Sequence, residues 1–216
     1  MNNLAIKFFV FVLVLLFALP GSSSAASVNH NVPNVLQAPT GKWTDARQKY
    51  GCEEASILMA WAWLSDKIFD PRQAEGEIIA MADFETNIML GLHHDTSAAD
   101  TAKLMREYYG VLSLRVENNI TVEDLKAVLN QGAIAIVPVG FAKNARPFYP
   151  KPIARHTVVV GAYDETAQTF GINDPLYKNT LWIPEKVIAK SLRGYSTGIN
   201  RPVRKSHSAM IVVSPR

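Results

Sequence analysis

Cys52 is the only cysteine in a chain of 216 residues, and it stands in Gly51-Cys-Glu-Glu-Ala-Ser56 at the start of a long apolar stretch. A lone thiol cannot form an internal disulfide, and in an oxidising compartment it is a liability unless it is buried or used. Its use would be nucleophilic. The thiolate is the reactive form, and a helix N-terminus favours it through unpaired backbone N–H groups and the positive end of the helix dipole. Glu53 and Glu54 oppose that effect. A thiolate at Cys52 therefore calls for a cationic partner, and an imidazole supplies one. An inert, buried cysteine is the competing reading.

Five histidines could fill that role: His30, His93, His94, His156 and His207. His156 has the best context, at the mouth of an apolar strand expected over 157–162. The polar connection Asp164-Glu-Thr-Ala-Gln168 and a returning strand over 169–173 make a hairpin centred near residue 165 or 166. Paired positions then sum to about 330 or 332, which sets Asp174 opposite His156 or Val158. Strand side chains alternate faces, so an even sum puts His156 and Asp174 on one face, where a carboxylate can fix an imidazole tautomer. An odd sum would separate them. The plainer readings are a half-exposed histidine at a strand end and an aspartate that forms a turn before Pro175.

Acyl chemistry at a cysteine also needs a donor for the developing oxyanion. Gln37 and Gln48, both upstream of Cys52, are the candidates, and spacing does not choose between them. His93, His94 and Asp95 form a second polar cluster. Two adjacent histidines rarely hold an ion without further ligands, and neither a His-Glu-x-x-His stretch nor a cysteine pair accompanies them. They read as the approach to a helix, with Asp95 near its cap, and no metal or organic cofactor is expected. His207 lacks a following aspartate to orient it.

The elements that would position these residues follow from the apolar pattern. The segment 28–51 is irregular, with only 32–36 able to extend, whereas 52–64 is apolar on nearly every side and reads as a buried central helix. Asp70-Pro71 opens a second helix, and a third follows Thr96 or Ser97 and ends at Gly110. A strand over 111–116 precedes a helix started by the capping box at Thr121-Val-Glu-Asp124 and stopped by Gly132. Strands then dominate, over 133–139, 157–162, 169–173, 181–183 and 209–213. Helices first and strands afterwards predict an α+β fold with two lobes in one domain.

Residues 1–26 are expected to be a signal peptide: Lys7, an apolar run over 8–19, Pro20-Gly21, then small residues around a cut after Ala25 or Ala26. A retained anchor is the alternative. The remaining 27–216 make one domain with a real core and a net charge of +2, too weak to argue for nucleic acid. No later stretch is long and apolar enough to span a membrane. Lys143, Arg146, Lys151 and Arg155 crowd a Pro-rich stretch before His156, read as a solvated loop with a substrate-facing role as the alternative.

Val32-Pro-Asn-Val-Leu-Gln-Ala-Pro39 and Gly51-Cys-Glu-Glu-Ala-Ser56 with Met59 resemble the double-glycine-leader (bacteriocin-processing) peptidase-like family, papain-clan cysteine peptidases whose stand-alone members are often exported. Gly132-Ala-Ile-Ala-Ile-Val-Pro138, His156-Thr-Val-Val-Val-Gly161, Asn173-Asp-Pro175 and Ala209-Met-Ile211 match its later blocks, so the resemblance covers about residues 32–213. It implies a papain-like fold: an N-terminal helical lobe with the catalytic cysteine at a helix start, and a C-terminal antiparallel sheet lobe. It implies Cys52 as nucleophile, His156 as base, Asp174 as orienting acid and Gln37 as the oxyanion glutamine. The fourteen residues between Gln37 and Cys52 exceed the spacing common among relatives, and Gln48 lies closer.

The expected activity is hydrolysis of peptide or protein amide bonds through a thioester, by a secreted or periplasmic enzyme. The alternatives are an acyl or amine transferase and a non-catalytic module that binds peptide or cell-wall ligands on the same fold.

Overall fold

Four of the helices begin at a side-chain cap, at Asp45, Asp70, Ser97 and Thr121. A computed structural model describes residues 27–90, 95–198 and 207–215. The expected signal peptide and the pair His93 and His94 lie outside the described residues.

Helix α1 (Ala46–Lys49) is a single turn capped by Asp45, and it leads directly into α2 (Cys52–Ser65). The join depends on Gly51, because a Cβ there would lie 2.5 Å from the Arg47 carbonyl oxygen. Every residue from Gly51 to Ala60 is buried, as an all-round apolar helix requires. Helix α3 (Pro71–Phe84) starts with a capping box between Asp70 and Gln73 and runs into a π-helical segment, Glu85–Leu90. Helix α4 (Ala98–Tyr109) is capped by Ser97 and closed by Gly110. The Thr121–Asp124 box starts α5 (Val122–Asn130), and α6 (Glu185–Ser191) follows later.

The strands are β1 (Val28–Asn29), β2 (Leu114–Asn118), β3 (Ile134–Phe141), β4 (Ile153–Asp164), β5 (Thr169–Asn173), β6 (Leu181–Pro184) and β7 (Ala209–Val213). Among the described residues they form one antiparallel sheet in the order β2-β7-β3-β4-β5-β6, with β1 paired to β4. One face, through Ile134, Ile136, Val159 and Ile211, packs on the apolar residues of α2, α3 and α4. The other face, through Val137, Val158, Val160 and Val212, packs on α5 and α6. The fold is thus α+β.

Two readings change and one helix is added. Helix α6 was not legible, because seven residues beginning at a proline-capped turn carry too little periodicity. The strand expected over 111–116 lies at 114–118, because the chain first clears the left-handed Gly110 cap. Residues 32–36 stay irregular rather than extended.

Candidate active site

Strand β4 begins at Ile153, so His156 sits inside the strand rather than at its mouth, and it is 4 % exposed. Its Nε2 lies 2.8 Å from Asp174 Oδ1. Asp174, 0 % exposed, also accepts from the Leu176 N–H at 2.7 Å and, through Oδ2, from the Tyr149 hydroxyl at 2.5 Å. A buried carboxylate costs several kcal/mol of desolvation unless donors surround it, and these three groups do. Tyr149 stacks on Phe141 with ring centroids 3.9 Å apart, which fixes its hydroxyl. Nothing in the sequence pattern marks Tyr149, since it falls in the Pro-rich stretch otherwise read by its charges.

The juxtaposition of His156 and Asp174 depends on a register shift. Near the turn the hairpin pairs Asp164 with Thr169, Tyr163 with Phe170 and Ala162 with Gly171, an odd sum. Beyond a bulge at Gly161 it pairs Val160 with Ile172 and Val159 with Asn173, an even sum. The extra residue restores the parity that puts 156 and 174 on one face. Gly161 is where it can occur: a Cβ there would meet Val32 Cγ2 at 2.6 Å and Asn173 Oδ1 at 3.2 Å.

Cys52 opens α2 and is 6 % exposed. Its Sγ donates to Glu53 Oε2 at 2.9 Å and makes no hydrogen bond to His156. Glu53 Oε1 in turn accepts from Thr157 Oγ1 at 3.3 Å, and Ser56 Oγ donates to the Thr157 carbonyl at 3.2 Å. The Gly-Cys-Glu-x-x-Ser stretch therefore docks the helix on the sheet. Gly51 permits the turn, and Glu53 and Ser56 fasten the helix start to the residue next to His156.

The electrostatics oppose a resting thiolate. Burial first, then the Glu53 charge and hydrogen bond, push the Cys52 thiol well above its ordinary range, and Asp95 and Glu54 add to the effect. Burial and the neighbouring Glu54 push the Glu53 carboxyl up to about 7. The helix dipole is too weak to offset this, since a helix terminus contributes roughly 0.3–2 kcal/mol.

Gln37, buried, donates its amide N–H groups to the carbonyls of Gln48 at 3.1 Å and Lys49 at 2.9 Å. Its backbone N–H donates to Pro175 O at 2.9 Å. It therefore ties the approach to Cys52 to the residue after Asp174, with both side-chain donors already in use. Gln48 donates instead to Glu75 Oε1 at 3.0 Å.

The basic stretch divides. Lys143, Arg146 and Lys151 are exposed, whereas Arg155 pairs with Asp95 at 2.8 Å, donates to Ser196 O and covers the Tyr195 ring. The Tyr195 hydroxyl accepts from the His156 N–H at 3.3 Å and donates to the Val139 carbonyl. Asp95 is thus the partner of Arg155, while the cap of α4 is Ser97. His207 sits 3.3 Å from Asn119 Oδ1, and His30 reaches the Leu129 carbonyl, so neither belongs to this cluster. Among the described residues no three His, Cys, Asp or Glu side chains group in a way that could hold a metal ion.

The sequence model described as Peptidase_C39 like family matches residues 29–195, a span that includes Cys52, His156 and Asp174. The chain belongs to that family. A crystal structure described as a C39-like peptidase from Bacillus anthracis superposes with a TM-score of 0.52 at 15 % identity, covering 88 % of this chain and 98 % of that one. At that identity the likeness shows the fold. No curated protein matches the sequence. Membership of a peptidase-like family leaves the activity itself to the geometry.

Proposed function

We propose that the protein is a cysteine peptidase, exported through its N-terminal segment, that hydrolyses peptide amide bonds with Cys52, His156 and Asp174. The observation that carries this reading is the 2.8 Å contact between His156 Nε2 and Asp174 Oδ1. With Nε2 held by the carboxylate, Nδ1 is the ring nitrogen able to take the thiol proton.

Cys52 would reach the substrate carbonyl as a thiol whose proton passes to His156 during attack, because the surroundings disfavour a standing thiolate. The tetrahedral oxyanion would rest on the Cys52 backbone N–H, an unpaired donor at a helix start. Gln37 joins it only by releasing one of its two carbonyls. His156 then protonates the leaving amine, and water resolves the thioester by the same route in reverse. Cys52 and His156 tighten on each other when substrate binds, as catalytic contacts that are long in the free enzyme commonly do.

A second reading, a binding module without catalysis, is favoured by one observation: the Cys52 hydrogen bond goes to Glu53 and the thiol is closed off from solvent. Digestion of a peptide library by residues 27–216, beside Cys52→Ala, separates the two. Cleavage lost in Cys52→Ala supports the peptidase. Cleavage retained in it, or absent from both while ligand is bound, overturns it.

A further inference from the structure

Glu53 immediately follows the candidate nucleophile, is buried, and makes a hydrogen bond through each of its oxygens. Oε2 accepts the Cys52 thiol at 2.9 Å, and Oε1 accepts Thr157 Oγ1 at 3.3 Å. A side chain that merely filled space at this position would be apolar, because burying a carboxyl costs several kcal/mol. Aligned between α2 and the strand residue next to His156, the carboxyl spans the two elements that a Cys–His pair must bridge.

We propose that Glu53 is a positioning residue for the nucleophile: clamped to β4 through Thr157, its carboxyl ties the Cys52 sulfur to the strand that carries His156 and keeps it as a thiol until substrate arrives. The inference rests on the peptidase reading for its purpose, and on the hydrogen bonds alone for its mechanism. When Glu53 is ionised it accepts a hydrogen bond from the S–H group and opposes the thiolate. When protonated it can donate to sulfur, so its own titration tunes the nucleophile. The groups that act on it are Cys52 and Glu54 from α2, Asp95 and Tyr195 from the loops around α4 and after α6, and Thr157 next to His156 on β4. Asp95 is countered by Arg155, which leaves Glu54 as the main neighbouring charge.

Because Cys52 is the single cysteine, the ¹³Cβ shift of labelled cysteine followed by NMR titration reports its ionisation without requiring reagent access or activity. In the wild-type protein the midpoint should lie above the ordinary thiol value of about 8.5. In Glu53→Gln, which keeps the size and removes the charge, it should fall by about one unit or more, a tenfold larger thiolate fraction at neutral pH. A Glu53→Gln midpoint unchanged from wild type overturns the proposal. If that variant does not fold, a wild-type midpoint below about 8 overturns it instead. Loss of hydrolysis in Cys52→Ala is read separately: an active Cys52→Ala protein removes the peptidase reading while leaving the titration result standing, and a dead one with an unshifted Glu53→Gln midpoint does the reverse.

Discussion

His156 and Asp174 meet at 2.8 Å because a bulge at Gly161 converts an odd strand register into an even one between the turn and the site. Without it, the two side chains would project from opposite faces of the hairpin. The pair is therefore a product of backbone register as much as of side-chain chemistry.

Gly161→Ala tests this link. The added methyl meets Val32 at 2.6 Å, so either the 30–32 segment or the bulge must move. Overpacking of this kind costs about 1–3 kcal/mol. We expect a lower midpoint in urea and a larger loss of peptide hydrolysis than the unfolded fraction explains. Full activity in the folded variant would separate the bulge from the site.

His156→Ala removes the proton acceptor and should lower kcat by about 10²–10⁴-fold, the usual contribution of a general base. Asp174→Asn should approach the same loss, because the amide can hold the wrong tautomer. Steady-state kinetics on a cleaved peptide give both numbers, and a His156→Ala protein within threefold of wild type would remove the histidine from the reaction.

Tyr149→Phe deletes one of the three donors to the buried Asp174 carboxylate. A hydrogen bond to a charged group contributes about 1.5–3 kcal/mol. The variant should be less stable by that order and should lose activity through kcat more than through KM, since the imidazole is held less firmly. Equal changes in the two would mark Tyr149 as a core residue only.

Stability should fall with rising pH because of Glu53. Its folded value of about 7 lies above the ordinary carboxyl value near 4.5, so the folded state holds a proton that the unfolded chain has released. Its contribution is full below pH 4.5 and is lost as pH rises through about 7. The loss is on the order of 3 kcal/mol. Thermal unfolding between pH 5 and 8 should show this slope in the wild-type protein and a flatter one in Glu53→Gln.

Gln37→Ala leaves the carbonyls of Gln48 and Lys49 without their donor. We expect about 1–3 kcal/mol of destabilisation with kcat on the folded protein changed less than tenfold. A hundredfold kcat loss at unchanged fold would instead assign Gln37 to the oxyanion, whose donors contribute about 10²–10³-fold each.

The sequence by itself determined the helix starts at Asp70 and Thr121, narrowed a third to Thr96 or Ser97, and set the central helix from Cys52 and the strand spans 169–173 and 209–213, because cap residues and apolar runs act locally. It also singled out Cys52, His156 and Asp174, whose types are rare enough to stand out in their contexts. Only the tertiary structure decided what each touches. The parity of the hairpin hung on one extra residue at Gly161, where the distant Val32 side chain leaves no room for a Cβ. Tyr149 reaches Asp174 across twenty-five positions, and Thr157 reaches Glu53 across one hundred and four. Glu53 was visible in the sequence as a charge opposing the thiolate. Burial made it the thiol's hydrogen-bond partner, because a carboxyl removed from water takes the nearest donors that the packing supplies.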